Sequence, residues 1–254
     1  MKKYLFVLAA LSLIFACTPE EDGGVEESKC PKGAVDLGIV MTREDGTTYK
    51  LYWAKSNLSD KGLCANPEDY GDYYAWGETE PYYSSQSPLT WKNGKSAGYD
   101  WASYEWCNGS SSTLTKYNTQ SSFGTVDNKT VLDQEDDVAS VKLGGKWRMP
   151  TDAEWTELRT KCTWTLTTNY NGTGVMGRIV TATNGNSIFL PAAGYRSDSD
   201  LYYAGSFGGY WSSSLFTDIT DNPLYAFFVG FYSDDVGRYD SYRYRGQSVR
   251  PVTE

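Results

Sequence analysis

Five cysteines are the most reactive side chains of this chain, and no histidine accompanies them. Without imidazole, a serine or cysteine nucleophile has no histidine base, and a histidine-ligated zinc or copper site is impossible. Four of the cysteines, Cys30, Cys64, Cys107 and Cys162, show no Cys-x-x-Cys spacing, so neither a zinc knuckle nor a thioredoxin-like redox pair is indicated. In an exported chain an even set points instead to two disulfides, for which three pairings are open.

Carboxylates offer a second chemistry. Glu135, Asp136 and Asp137 are oxygen donors at the close spacing that suits calcium. The EF-hand spacing, with its ligand at position twelve, is missing. The acids read instead as first-turn residues of a helix from near Asp133 to Leu143, where they complement the positive end of the dipole and Gly144-Gly145 supply the stop. No metal and no cofactor is expected.

Aromatic recognition is the third possibility, because Tyr, Trp and Phe make up 15% of the residues. Tyr202 and Tyr203, and the run from Arg238 through Tyr239, Tyr242, Arg243 and Tyr244 to Arg245, place several in loop-like sequence. Flat apolar faces beside charged hydrogen-bonding groups suit sugar rings or a protein partner. Tyr202, Tyr203, Tyr239, Tyr242 and Tyr244 are the candidate faces, with Arg238, Arg243 and Arg245 as donors. The alternative is a solvated edge strand in which Tyr and Arg alternate.

The elements that must position these residues are mostly β. Short segments rich in Tyr, Trp, Val and Thr are punctuated by Gly, Asn and Asp. Leu51–Ala54, Ile179–Thr183, Ile188–Leu190 and Ala226–Phe231 read as strands. Asn184-Gly185 predicts a two-residue turn joining residues 179–190 into one hairpin. Pro150, Thr151 and Glu154 form a capping-box signature for a helix that places Trp155 and Leu158 on one face. The Ser- and Thr-rich stretch 108–124 reads as a long surface loop, held by Leu114 and Tyr117, rather than a boundary.

The first residues carry an address. Lys2 and Lys3 precede an apolar run from Tyr4 to Phe15 that is too short to span a bilayer, so residues 1–16 read as a cleaved signal peptide. Cys17 follows Ala16 as in a lipobox and is the expected lipidation site; several acyl chains on one cysteine anchor a protein stably. Residues 17–29, with Glu20, Glu21, Asp22, Glu26 and Glu27, cannot bury enough apolar surface to order themselves and read as an acidic tether. Removing Lys2 and Lys3 moves the formal net charge from −9 to −11, which disfavours nucleic acid and anionic lipid. Residues 30–254 are expected to form one domain.

The segment from Gly144 to Leu158, together with Tyr210–Ser214 and Ser248–Val252, resembles the Fibrobacter succinogenes major paralogous domain family of secreted and surface lipoproteins in Bacteroidetes. Val35–Gly38, Tyr52–Ala54, Pro67–Thr79, Cys162–Trp164 and Asn184–Arg196 extend the resemblance over nearly all of residues 34–252. The resemblance implies an α+β, C-type-lectin-like fold related to formylglycine-generating enzymes: twisted antiparallel sheets, two helices and long irregular loops. It also implies the outer face of the outer membrane, because an acidic stretch after the lipidated cysteine resembles the surface-export signal.

Within that resemblance Trp53, Trp76, Trp147, Trp155, Trp164 and Trp211 fill the core, while Arg148, Arg196 and Arg250 make buried ion pairs or carbonyl hydrogen bonds. The extra segment 59–66 around Cys64 implies pairing of Cys30 with Cys64 and of Cys107 with Cys162. Oxidases of this kind use a pair of cysteines in the C-terminal part, and no cysteine follows Cys162. Lectin calcium ligands are missing too, since serines follow Trp211. The expected function is therefore non-enzymatic binding of glycan or a surface protein through the late loops. The alternatives are a structural envelope or fimbria-associated subunit and, last, an oxidase.

Overall fold

A computed structural model describes residues 30–92, 98–218 and 222–254. Cys17 and the rest of the signal and tether segments lie outside the described residues. The described part is α+β. Three three-stranded sheets and three two-stranded ribbons are all antiparallel in their strand pairing.

Strand β1 (Ala34–Thr42) pairs with β2 (Thr48–Ala54), which also takes the chain's last strand on its other edge. A bulge between Asp36 and Ile39 bends β1; there Gly38 has φ +69° and donates its N–H to Asp36 Oδ1 at 2.8 Å. Two ribbons follow, β3 (Leu58–Ser59) with β4 (Gly62–Leu63) and β5 (Tyr83–Gln86) with β6 (Leu89–Trp91). Residues 108–124 then run without a regular strand, and Leu114 and Tyr117 are buried as expected.

Helix α1 (Val138–Leu143) is shorter than the sequence predicts. Asp137 is its N-cap rather than a first-turn residue: Oδ1 accepts from Ser140 N at 2.9 Å and Oδ2 from Met149 N at 2.8 Å. Gly144 ends it, with φ +67°. Helix α2 (Asp152–Lys161) starts at the predicted capping box, since Thr151 Oγ1 accepts from Glu154 N at 3.2 Å and Glu154 Oε2 accepts from Thr151 N at 2.8 Å. The reciprocal pair satisfies two amides that a helix start otherwise leaves open.

Strands β7 (Thr163–Thr167), β8 (Gly177–Thr181) and β9 (Ser187–Pro191) form the second sheet. The hairpin around Asn184-Gly185 forms, but its turn is longer than two residues. Ala182 N donates to Asn186 O at 2.9 Å, and of the pair only Gly185 has positive φ. Asn184 Nδ2 is used elsewhere, donating to Asp36 O at 2.9 Å and tying the hairpin to the β1 bulge.

A last ribbon, β10 (Tyr195–Ser197) with β11 (Asp200–Tyr202), precedes the third sheet. That sheet runs β12 (Gly208–Leu215), β13 (Tyr225–Phe231), β14 (Val236–Tyr242), with β14 at its edge, and β15 (Val252–Thr253) closes on β2.

Tryptophans staple these layers together. Trp53 and Trp155 rings meet at 4.7 Å between α2 and β2. Trp155 Nε1 donates to Trp211 O at 3.1 Å, Trp211 Nε1 to Tyr74 O at 2.8 Å, and Trp76 Nε1 to Ser212 O at 2.8 Å. Trp76, Trp155 and Trp211 each remove large apolar area from water while their one donor is satisfied, whereas Trp53 Nε1 has no hydrogen-bond partner among the described residues. Trp147 and Trp164 are half-buried. Arg250 is enclosed and donates to Asn57 Oδ1, Ala54 O and Phe189 O at 2.7–3.0 Å. Burial pushes its pKa down to about 10. Arg196 is buried with its guanidinium over the rings of Tyr83 and Tyr73, at 4.8 and 5.4 Å.

The expected pairings of Cys30 with Cys64 and of Cys107 with Cys162 are corrected by the structure, since no disulfide joins these four cysteines to one another among the described residues. Cys107 Sγ donates to Trp101 O at 3.0 Å, within its own loop, and burial raises its pKa. Aromatic packing and buried arginine bonds supply the cross-links that the sequence reading assigned to cystines.

Candidate functional site

The edge of the third sheet and the ribbon before it enclose a cleft of about 360 Å³. Its aromatic lining comes from residues 195–239. Phe207 immediately precedes β12, Phe228 lies on β13, and Tyr239 stands opposite Phe228 on β14 with ring centroids 5.7 Å apart. Tyr232 packs against Phe207 at 4.7 Å. Glycine makes room for these rings: a Cβ at Gly230 would stand 2.9 Å from Phe228 and 3.0 Å from Phe207.

Tyr203 closes the other side and is 56% exposed. Its backbone lies in the left-handed region, φ +56°, which a bulky side chain rarely adopts. Three donors converge on its carbonyl and hold it there: Ser206 N, Phe207 N and Ser206 Oγ, each at 3.0 Å. Such strain persists only where the surroundings impose it, and it clusters at ligand sites.

The polar lining comes from residues 240–247: Asp240, Ser241, Arg245 and Gln247. Arg245 lays its guanidinium over Tyr195 at 5.2 Å. Tyr239 donates its hydroxyl to Asp235, and this bond, with partial burial, pushes the phenol up to about 12. Tyr239 is thus a protonated donor through the physiological range.

The eight residues predicted as a binding set divide. Tyr203 and Tyr239 line the cleft, as does Arg245. Tyr202 lies beside it, stacked on Tyr195 at 5.5 Å. Tyr242 is half-buried between Tyr225 and Tyr244, at 4.4 and 5.4 Å, and Tyr244 packs edge-on against Trp101 at 5.0 Å. Arg238 sits over Phe227 at 3.7 Å and pairs with Asp152 and Asp218, each at 2.7 Å, so it braces α2 against β14.

Arg243 is a correction, since it is 0% exposed. It donates to Tyr104 Oη and to the carbonyls of Lys116, Tyr117 and Pro223 at 2.9–3.0 Å, and no ligand reaches it. The expectation of loops is corrected as well, because Tyr239 and Tyr242 stand on β14, the edge strand that Tyr and Arg alternation had offered as the alternative.

Sequence reasoning missed Tyr195, Phe207, Phe228, Tyr232 and Gln247. The period-two pattern of β13 separates Phe228 from Phe227 and Val229, a usable signal. Nothing local marks Gln247.

A lysine answers the calcium alternative at the acidic segment. Lys116 Nζ is bonded to Asp136 and lies 2.9 Å from Asp133, placing an ammonium where a cation would be. Comparison with known protein families, with curated proteins and with solved structures finds no match to this chain.

Proposed function

We propose that this chain is a non-enzymatic, lipid-anchored surface protein of the Fibrobacter succinogenes major paralogous domain type. Its C-type-lectin-like domain binds a glycan or a surface protein through the Tyr203–Tyr239 cleft. The observation that carries the reading is the cleft itself, in which exposed aromatic rings meet four polar side chains in one concavity. Ligand sites are commonly of this kind, mostly apolar with a few convergent polar groups. The mixture of strands and helices is compatible with that fold, and the export signal with that address.

Binding and surface-labelling experiments test it. A glycan array and a surface pull-down with the wild-type protein and a Tyr203→Ala/Tyr239→Ala variant should give a saturable ligand that the variant loses. A regular filament or a stable co-purifying subunit, unaffected by the variant, would instead support the structural role. For the address, Cys17→Ser should abolish incorporation of labelled fatty acid while leaving export intact. Added protease should cleave the wild-type protein on intact cells, and full protection would move it to the periplasmic face.

A further inference from the structure

The two edges of the third sheet differ. Along β12 the outer backbone groups are taken by neighbouring segments: Trp211 N donates to Ser248 O at 3.1 Å, Ser213 N to Pro150 O at 2.8 Å and Leu215 N to Thr130 O at 2.7 Å. β14 has no strand beyond it. Its ladder with β13 runs in unbroken register from Val236 to Tyr242, bracketed by bonds from Arg243 N to Leu224 O and from Tyr232 N to Asp235 O, both at 3.0 Å. Hydrogen-bonded pairs alternate with non-bonded ones in such a ladder. Gly237, Tyr239 and Ser241 therefore turn N–H and C=O toward β13, while Val236, Arg238, Asp240 and Tyr242 turn theirs outward. Tyr242 O accepts from Arg245 N at 3.0 Å, which closes that end. The outward backbone groups of Val236, Arg238 and Asp240 bond to nothing among the described residues.

Folded proteins guard an edge with short strands, free charges such as lysine, prolines or bulges. β14 is seven residues long, contains neither lysine nor proline and has no register shift. Arg238 is committed to Asp152 and Asp218, which leaves Asp240 as the strand's one charge without an ion pair among the described residues. Asp240 is exposed, as are Tyr203, Tyr232 and Tyr239 on the cleft walls, so edge and rings are both open to a partner. Tyr239, Asp240 and Ser241 line the cleft in succession. Successive side chains of a strand point to opposite faces, so this run of three brings the cleft to the strand's edge.

An extended polypeptide meets both features at once, because its backbone continues the ladder while its alternate side chains fall on the cleft face beside Tyr239. A sugar would use the rings and leave the edge amides and carbonyls unmatched. The exposed charges here are acidic, Asp234 and Asp235 at the β13–β14 turn and Asp240 on the strand, in a chain of formal charge −9. A second copy of the chain would set these acids against their own kind, whereas a basic partner complements them.

We infer that β14 is a docking edge for an extended segment of a partner protein, which adds to the sheet as a further strand. The segment alternates apolar or aromatic residues, which enter the cleft, with lysine or arginine, one of them opposite Asp240. The inference rests on the reading of this cleft as the binding site.

The test presents the full chain to an array of seven-residue peptides in which tyrosine, valine or leucine alternates with lysine, serine or glutamate, alongside a glycan array. The expected result is saturable binding to lysine-containing members, weakened at least tenfold by Asp240→Lys and by Tyr203→Ala. N-methylation of one set of alternate peptide amides should weaken binding at least tenfold, and of the other set much less. Hydrogen exchange on the wild-type protein, which needs no variant, should show the amides of Arg238 and Asp240 protected when peptide is bound. Binding indifferent to N-methylation, or without that protection, overturns the inference. Binding confined to the serine or glutamate members, or to no peptide at all, also overturns it. A glycan lost on Tyr203→Ala with no peptide bound does the same while leaving the cleft as the binding site. A concentration-dependent dimer disrupted by Asp240→Lys would put a second copy on the edge and overturn the partner assigned here. Should neither glycan nor peptide binding depend on Tyr203 and Tyr239, both readings fall.

Discussion

Arg148 grips both carboxylate oxygens of the buried Glu154, Nη1 to Oε2 at 2.7 Å and Nη2 to Oε1 at 2.6 Å. Tyr49 Oη adds a third donor at 2.8 Å, so the capping residue of α2 is ion-paired to Arg148 and hydrogen-bonded to β2 at once. Burial by itself would raise the Glu154 pKa, but the Arg148 bonds and charge outweigh it and hold the carboxyl below its usual 4.5. A lowered folded pKa means that the pair's stabilisation is complete above about pH 4.5 and is lost as pH falls through the folded value. Urea midpoints measured from pH 7 to pH 3 should fall for the wild type and change less for Glu154→Gln. Arg148→Ala should cost about 3–5 kcal/mol at neutral pH, because it leaves a buried carboxylate without its partner. A cost below about 1 kcal/mol would show that Tyr49 and the cap suffice.

Replacing Arg243 should unfold rather than unbind. Arg243→Leu orphans three backbone carbonyls, each costing roughly 1–3 kcal/mol when buried unsatisfied. The thermal midpoint should therefore drop sharply. Retained stability with selective loss of ligand would return Arg243 to the binding set.

Thiol chemistry checks the cysteines. Unfolding without reductant and alkylating with iodoacetamide should label Cys64, Cys107 and Cys162 in full. In the native state Cys64 should react slowly at pH 8, since burial, with Asp69 nearby, pushes its thiol up to about 11. A peptide pair that separates only on reduction would contradict the structure.

Tyr239 and Tyr242 should behave differently, although both lie on β14. Tyr239→Ala removes an exposed cleft face and should weaken ligand at least tenfold, about 1.4 kcal/mol, with little change in thermal midpoint. Tyr242→Ala breaks the stack on Tyr225 and Tyr244 and should lower stability by more than the roughly 0.5–1.5 kcal/mol that aromatic pairing adds to burial. Equal stability losses in circular dichroism melts would mean that Tyr239 is a packing residue as well.

The parts legible in the sequence are those whose partners lie a few residues apart. Thr151 and Glu154 satisfy each other within one turn, Gly185 permits its own turn, and Gly144 ends α1, so these signals survive without tertiary context. Even locally, Asp137 became a cap rather than a first-turn residue because Met149 N, twelve residues on, takes its second oxygen. The fate of the tyrosines and arginines between 238 and 245 could not be read this way. Arg243 is buried because Tyr117, at a separation of 126 residues, and Tyr104, at 139, come to it, whereas Arg245 two positions later lines the cleft. Alternation along β14 states which residues share a face, but only the packing of distant segments decides which face is covered. The same holds for Gln247, which is buried with its backbone paired to Tyr74 and its side chain against Gly209, although the sequence presents it as ordinary.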